Sequence, residues 1–198
     1  MRSFLVHYPS MTSPTFLGAF AAPGDLPRGY DRRFVCVGRS NVGKSSFVNA
    51  ITSSKISRTS ATPGRTKTIN AFVVGPHTLL LDLPGYGYAK QSREERNVLE
   101  GRIFETLTEL DGLTRVFVIV DARVGITALD QEMIAFLHTQ NLPFTIMANK
   151  VDALNQRERV QQERLIRSAL TEQDDLVFCS AEQGTGLASV RQVLNEHV

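Results

Sequence analysis

Gly38-Arg39-Ser40-Asn41-Val42-Gly43-Lys44-Ser45 is the stretch that decides the fold. It fits G-x-x-x-x-G-K-[ST], a phosphate-binding loop. Glycine lets backbone approach a phosphate with no Cβ in the way, and loop N–H groups turn inward as donors. Lys44 can reach the β and γ phosphates, and the Ser45 hydroxyl can sit on a magnesium ion. Such a loop joins a buried strand to a helix. Arg33-Phe34-Val35-Cys36-Val37 before it is a short β-rich run, and 44–52 after it continues as a helix.

Strand and helix patterns alternate outward from this loop. Ile69–Val74 and Thr78–Leu83 are apolar runs around Gly75-Pro76-His77, which predicts a hairpin. Ser92 to Glu95 fits a capping box, followed by Leu99, Ile103, Phe104, Leu107 and Leu110 at helical spacing. Val116–Val120 and Phe144–Ala148 read as buried strands. Between them, Thr127 to Asp130 caps a helix carrying Met133, Ile134, Phe136 and Leu137. Gln156–Leu170 is a charged helix whose expected buried side is Val160, Leu165, Ile166 and Leu170. Leu176–Phe178 is a last short strand, and Leu187–Leu194 a closing helix. This alternation predicts an α/β fold: a mostly parallel, six-stranded sheet with helices on both faces. The expected organisation is an N-terminal arm, 1–30, and one domain, 31–198, with no internal repeat.

Composition narrows the class. Of 198 residues 42% are hydrophobic and 21% charged, an ordinary globular balance. No apolar run reaches 18 residues, and His7, Pro9, Ser10, Ser13 and Pro14 break any secretory core near the start. Cys36 and Cys179 are far apart and lie in strand-like runs, as expected of buried reduced thiols. The four histidines match no zinc or catalytic-triad pattern. A cytoplasmic protein without a membrane partner is expected. The net charge of +2 hides an asymmetry: 1–70 carry +8 and 71–198 carry −6. A basic region with Arg28, Arg32, Arg33, Lys55, Arg58, Arg65 and Lys67 is compatible with RNA phosphates, and also with a solvated surface beside a nucleotide.

Further motifs follow predicted strands, where ligands of such sheets bind. Asp82-Leu83-Pro84-Gly85 places a carboxylate to hold magnesium and a glycine N–H to approach a γ-phosphate. Asn149-Lys150-Val151-Asp152 selects guanine: one carboxylate, Asp152, accepts from both N1–H and the N2 amino group, an edge adenine lacks. The Lys150 stem can lie along the base, and Asn149 can tie this loop to the phosphate loop. After the last strand, backbone N–H groups of Phe178-Cys179-Ser180-Ala181 can reach the guanine O6. The polar loop 53–68 offers Thr62, Thr66 and Thr68 as magnesium ligands by chemistry alone.

GRSNVGKSS, TPGRTKTIN, DLPGYGYA, NKVD and the late Cys-Ser-Ala run together resemble the EngB (YihA/YsxC) group of Era-like bacterial GTPases, over about residues 15–198. The resemblance implies a Ras-like P-loop GTPase fold. It implies phosphate binding by Gly38, Arg39, Ser40, Asn41, Val42, Gly43, Lys44 and Ser45, and a first switch of Gly64, Arg65, Thr66, Lys67 and Thr68. Magnesium ligands would be Ser45 and Thr66, and the γ-phosphate sensor Asp82, Leu83, Pro84 and Gly85. The base would be held by Asn149, Lys150, Val151 and Asp152 with Phe178, Cys179 and Ser180. GTP and GDP are then the ligands, and Lys44, Thr66, Gly85 and Asn41 the catalytic groups. The family's roles imply assembly of the large ribosomal subunit, through contact with rRNA and ribosomal protein, and a need in cell division and septation. A monomer is expected.

Where Ras-like proteins carry a water-orienting glutamine, this chain has Tyr86, so slow intrinsic hydrolysis is expected. The Asn41 amide can ligate a potassium ion beside the phosphates, or simply hydrogen-bond loop backbone. A nucleotide-gated protein-binding module of the division machinery is the alternative function. An ATP-dependent kinase or ATPase is disfavoured by Asp152.

Overall fold

Phe34, Val35, Cys36 and Val37 are all fully buried, because the strand that carries them is covered on both faces. A computed structural model describes residues 14–57, 68–88 and 92–195. In it β2 (Arg32–Gly38) runs parallel to both β4 (Thr78–Asp82) and β5 (Leu113–Asp121). Beyond β5 lie β6 (Phe144–Asn149) and β7 (Leu176–Phe178), also parallel. On the other side β3 (Ile69–Gly75) pairs antiparallel with β4, as the hairpin signal predicted.

The sheet has seven strands rather than six. Its order is β1-β3-β4-β2-β5-β6-β7, and the added edge is β1 (Thr15–Phe20), within the segment read as an arm. β1 is antiparallel to β3, and Phe16 packs its ring 5.5 Å from that of Phe72. Phe16 and Leu17 stay largely exposed. With one face open and Gly18 in the middle of a nearly all-apolar run, the segment lacks the alternation by which a strand is recognised.

Successive strand residues point to opposite faces, and two apolar layers result. On one face Phe34, Cys36, Leu80, Phe117, Ile119 and Met147 meet α1 (Lys44–Ile51) and α5 (Ala188–Asn195). Phe117 stacks on Phe34 and tilts against Phe47, each at 5.9 Å between ring centroids. On the other face Val35, Val37, Leu81, Val118, Val120 and Ile146 meet α2 (Arg93–Glu109), α3 (Ala128–Thr139) and α4 (Gln156–Ser168). The helical repeat Leu99, Ile103, Leu107, Leu110 is buried as read, with Phe104 against Phe136 at 4.4 Å.

Two further expectations change. Val160 and Leu165 of α4 face solvent, and Ile166 is the one buried residue of that helix. Residues 156–161 are exposed and Ile166 joins the core, so periodicity alone overstated the helix's apolar face. Of the N-terminal basic residues, Arg33 is buried with its guanidinium on the Asp111 carbonyl, and Arg32 bonds the Val193 carbonyl and covers the Phe34 ring. Neither is free for a partner. Helix α2 does begin one residue after Ser92, but the Glu95 side chain of the expected capping box lies outside the description.

Candidate functional site

The phosphate loop bridges β2 and α1, and its shape follows from its residues. Gly43, just before α1, sits at φ +97°, and a Cβ there would come within 2.6 Å of the Asn149 amide nitrogen. Glycine is required twice over, for its dihedral and for this close approach. A Cβ on Gly38 would collide with the Ile119 carbonyl. Asn41 takes φ +70°, at the exposed crest of the loop, a conformation Asn tolerates better than most residues. Its side chain makes no hydrogen bond with the described residues. Lys44 folds back so that its ammonium lies 3.4 Å from the Gly38 carbonyl, the pose of a loop lysine waiting over a phosphate.

Asp82 ends β4 directly beneath the loop. Burial raises its pKa, and the Lys44 charge and a hydrogen bond from the Ser45 hydroxyl pull it back down. Its Oδ1 is buried with no hydrogen-bond partner among the described residues. Burial in turn lowers the Lys44 pKa, opposed by Asp82. An orphaned carboxylate oxygen beside a serine hydroxyl fits a magnesium ion held with a nucleotide. No cluster of three His, Cys, Asp or Glu exists among the described residues, so a metal here would depend on hydroxyls and phosphate oxygens.

Leu83, Pro84 and Gly85 continue from Asp82 across the loop. The Leu83 N–H donates to the Cys36 carbonyl at 3.1 Å, and the Ser40 N–H to the Tyr86 carbonyl at 3.0 Å. A Cβ on Gly85 would lie 3.0 Å from the Lys44 ammonium and 3.1 Å from Ser40 backbone. The turn therefore abuts the phosphate loop, and a side chain here would press on the Lys44 ammonium and the Ser40 backbone.

Tyr86 points the other way. It is 3% exposed, and its hydroxyl donates to Asp130 Oδ1 at 3.1 Å, inside the layer between the sheet and α3. Burial first, then the Asp130 charge, pushes the phenol pKa well above its usual value, so it stays protonated. Asp130 is fully buried and also accepts from Arg39 Nε at 3.0 Å and from the Thr127 N–H and hydroxyl. The Thr127–Asp130 cap read from sequence thus doubles as an anchor for the phosphate loop. The Arg39–Asp130–Tyr86 unit carried no sequence signal, because its members are 91 and 44 residues from Asp130.

At the base-binding end, Asn149 joins three segments. Its Nδ2 donates to the Val42 carbonyl at 3.0 Å, and its Oδ1 accepts from the Ala181 N–H at 2.9 Å. Lys150 holds φ +69°, and its ammonium donates to the Asn41 carbonyl and to Asp121 Oδ2, the latter at 2.9 Å. Asp121 is a residue that motif reading passed over. It ends β5 in register with Asn149, a carboxylate at the same strand level as N-K-x-D. Burial would raise its pKa, but hydrogen bonds from Arg123 and Lys150 outweigh that and hold it at about 2. Val151 is buried and starts a single 3-10 turn, Val151–Ala153, that presents Asp152 to solvent. Among the described residues no hydrogen bond or ion pair engages the Asp152 carboxylate, as a receptor for two base donors requires.

Phe178, Cys179 and Ser180 close the same end. The Cys179 N–H bonds the Ala148 carbonyl, the Val151 N–H bonds the Cys179 carbonyl, and Ser180 Oγ accepts from the Gln183 N–H. Burial and the Asp152 charge push the Cys179 thiol up to about 12, and burial, then the Asp82 charge, also raises the Cys36 thiol well above its usual value, so neither is a nucleophile. Of the expected site, Thr68 is described as a half-buried bend before β3, whereas Gly64, Arg65, Thr66 and Lys67 lie outside the described residues. The rest converges on one end of the sheet.

Residues 33–150 match the family described as 50S ribosome-binding GTPase, and 103–198 match the elongation factor Tu GTP-binding domain. A probable GTP-binding protein EngB from Ruegeria pomeroyi is 36% identical over 93% of this chain and 92% of its own. A solved probable GTP-binding protein engB superposes with TM-score 0.63 at 22% identity, over 83% of this chain and all of that one. Era, solved with MgGDPNP and a piece of 16S ribosomal RNA, gives TM-score 0.64 at 25% identity, over 83% of this chain and 56% of Era. A Ras-like sheet, a phosphate loop tied to an N-K-x-D loop, and relatives alike along nearly their whole length place this chain in the EngB family of GTP-binding proteins, as a GTP-hydrolysing enzyme.

Proposed function

We propose that the protein is a slow, magnesium-dependent GTPase switch that acts in assembly of the large ribosomal subunit and is needed for normal cell division and septation. The observation that carries the switch is Gly85 packed against Lys44 and Ser40, with the Asp82 Oδ1 left unpartnered beside it. In this reading Gly38 to Ser45 cradle the phosphates, and Asn149 to Asp152 with Phe178 to Ser180 hold guanine. Ser45 and Thr66 ligate magnesium, with Asp82 behind Ser45. The first switch, Gly64 to Thr68, senses the γ-phosphate together with Gly85. When bound, magnesium would neutralise charge on the β and γ phosphate oxygens.

Lys44 and the loop N–H groups stabilise charge on the transferring phosphoryl group. Tyr86, turned into the core, holds no attacking water, so hydrolysis without a partner is slow. Asn41, its amide free at the loop crest, ligates a potassium ion there. Turnover is then several-fold faster in potassium than in sodium chloride, and Asn41→Ala removes the difference. Equal rates in the two salts would exclude the ion.

The ribosomal role draws on the family's description and on Era's complex with ribosomal RNA. The protein acts as a cytoplasmic monomer, one GTP-binding domain over 31–198 with β1 added at its edge. Sucrose-gradient sedimentation with ribosomal particles tests it. The form loaded with a non-hydrolysable GTP analogue should travel with large-subunit particles, the GDP form much less. No co-sedimentation at low salt would favour a nucleotide-gated module of the division machinery instead.

A further inference from the structure

Helix α4 is held to the rest of the molecule through its middle and C-terminal part, where Gln162 donates to the Arg123 carbonyl at 3.2 Å. Asn155 caps it, accepting from the Glu158 N–H while the Glu158 carboxylate accepts from the Asn155 N–H. Near the other end Ile166 is its buried residue. Residues 156–161 are exposed all round. Within this span and just beyond it stand Arg157, Arg159 and Arg164, none with a side-chain hydrogen bond or ion pair to any described residue. The helix's two carboxylates are already engaged: Glu158 in the cap, and Glu163 beside Arg167 at 3.9 Å. Exposed arginines with no ion pair to a described residue are therefore concentrated on a helix that starts four residues after Asp152.

At 3.6 residues per turn Arg157, Val160 and Arg164 fall within about 60° of one another, opposite Ile166. Arg157 and Arg164 stand about 10 Å apart along the axis. Val160 and Leu165, 49% and 53% exposed, lie about 140° apart around the helix and so form no single apolar patch. A protein interface would call for an apolar centre ringed by polar groups. Planar, unpaired guanidinium groups around a polar rod match phosphodiester oxygens instead.

We propose that the outer face of α4 binds the phosphate backbone of RNA, with Arg157 and Arg164 as its principal contacts. This inference rests on the ribosomal reading above, and makes α4, rather than Arg32 and Arg33, the contact surface. Phosphate neutralisation releases counterions, so each contact contributes about 0.7–0.9 to the slope of log affinity against log salt.

The test measures binding of the full chain, loaded with a non-hydrolysable GTP analogue, to purified large ribosomal subunits and to protein-free large-subunit rRNA across a salt series. Three proteins are compared: the wild type, the pair Arg157→Gln with Arg164→Gln, and a charge-matched pair on α2, Arg96→Gln with Arg102→Gln. Basal GTP turnover and circular dichroism verify that each is folded. The α4 pair should lower the slope by about 1.5 on both targets and weaken binding at least tenfold at moderate salt. The α2 pair should leave both within twofold. Equal slopes for wild type and the α4 pair overturn the inference and leave the ribosomal reading standing. Equal losses from both pairs overturn it too, since net charge alone would then explain them. Loss on particles with no wild-type binding to protein-free RNA points to a protein partner and overturns it. A wild type that binds neither target overturns the ribosomal reading together with it.

Discussion

Tyr86 and Asp152 separate what a residue's type decides from what its orientation decides. Asp152 presents an exposed carboxylate from the middle of a short 3-10 turn, with no partner among the described residues, and in the proposed reading it accepts from both guanine donors. Asp152→Asn should weaken GTP by about 100-fold and shift preference to xanthosine triphosphate, read by competition against labelled GDP. Unchanged guanine selectivity would remove this residue from base recognition. Tyr86 sits next to Gly85, yet its hydroxyl is spent on Asp130 in the core. Tyr86→Phe should therefore cost about 1–2 kcal/mol of stability in urea unfolding, from a lost bond to a buried carboxylate. It should change turnover less than tenfold, about 1.4 kcal/mol of barrier. A larger drop in turnover would mean that the phenol takes part in the reaction.

Among the elements, the strand ends do the positioning. The β5 end brings Asp121 beside Asn149 at the β6 end, and Lys150 is pinned between Asp121 and the phosphate loop. The folded pKa of Asp121, about 2, lies below the ordinary carboxylate value of about 4. Its stabilisation is thus full above about pH 4 and fades as pH falls through about 2. Asp121→Asn should lower stability by on the order of 1–2 kcal/mol at pH 7, allowing for partial exposure of Arg123 and Lys150. The deficit should shrink steadily below pH 4. A pH-independent deficit would trace the loss to packing rather than charge.

At the scale of the whole molecule, the proposed nucleotide site draws on five described segments that meet at one end of the sheet: the phosphate loop and the ends of β4, β5, β6 and β7. A ligand that binds only the folded state stabilises it by about 2.7 kcal/mol at one hundred times its Kd. For a chain of this size GDP at that level should raise the Tm by about 5–10 °C, and ATP at the same concentration by less than 1 °C. Equal shifts from the two nucleotides would contradict guanine selection. The charge asymmetry also takes its meaning at this scale. Part of the basic excess of 1–70 is consumed internally, Arg33 on Asp111, Arg32 on Val193 and Arg39 on Asp130. The unpaired arginines of α4 lie in the half that counts as acidic overall.

The strand–loop–helix order, the buried runs of β2, β5 and β6, and the D-x-x-G and N-K-x-D loops were legible because each is a local pattern. A continuous apolar run, a glycine-lysine-serine loop or a capping box depends on neighbours in sequence. What the chain order could not reveal depended on neighbours in space. β1 became a strand because the β3 edge offered it hydrogen bonds. Val160 and Leu165 stayed in water because half of α4 runs past its support. Asp121 gained Lys150, beside its local partner Arg123, and Asp130 gained Arg39, only once separate strands and loops brought these cations together. Sequence by itself determined which chemistry the protein carries, since that depends on residue types at short spacing. Tertiary structure decided which way each side chain faces and what neutralises each buried charge, since burial and pairing exist only once distant segments meet.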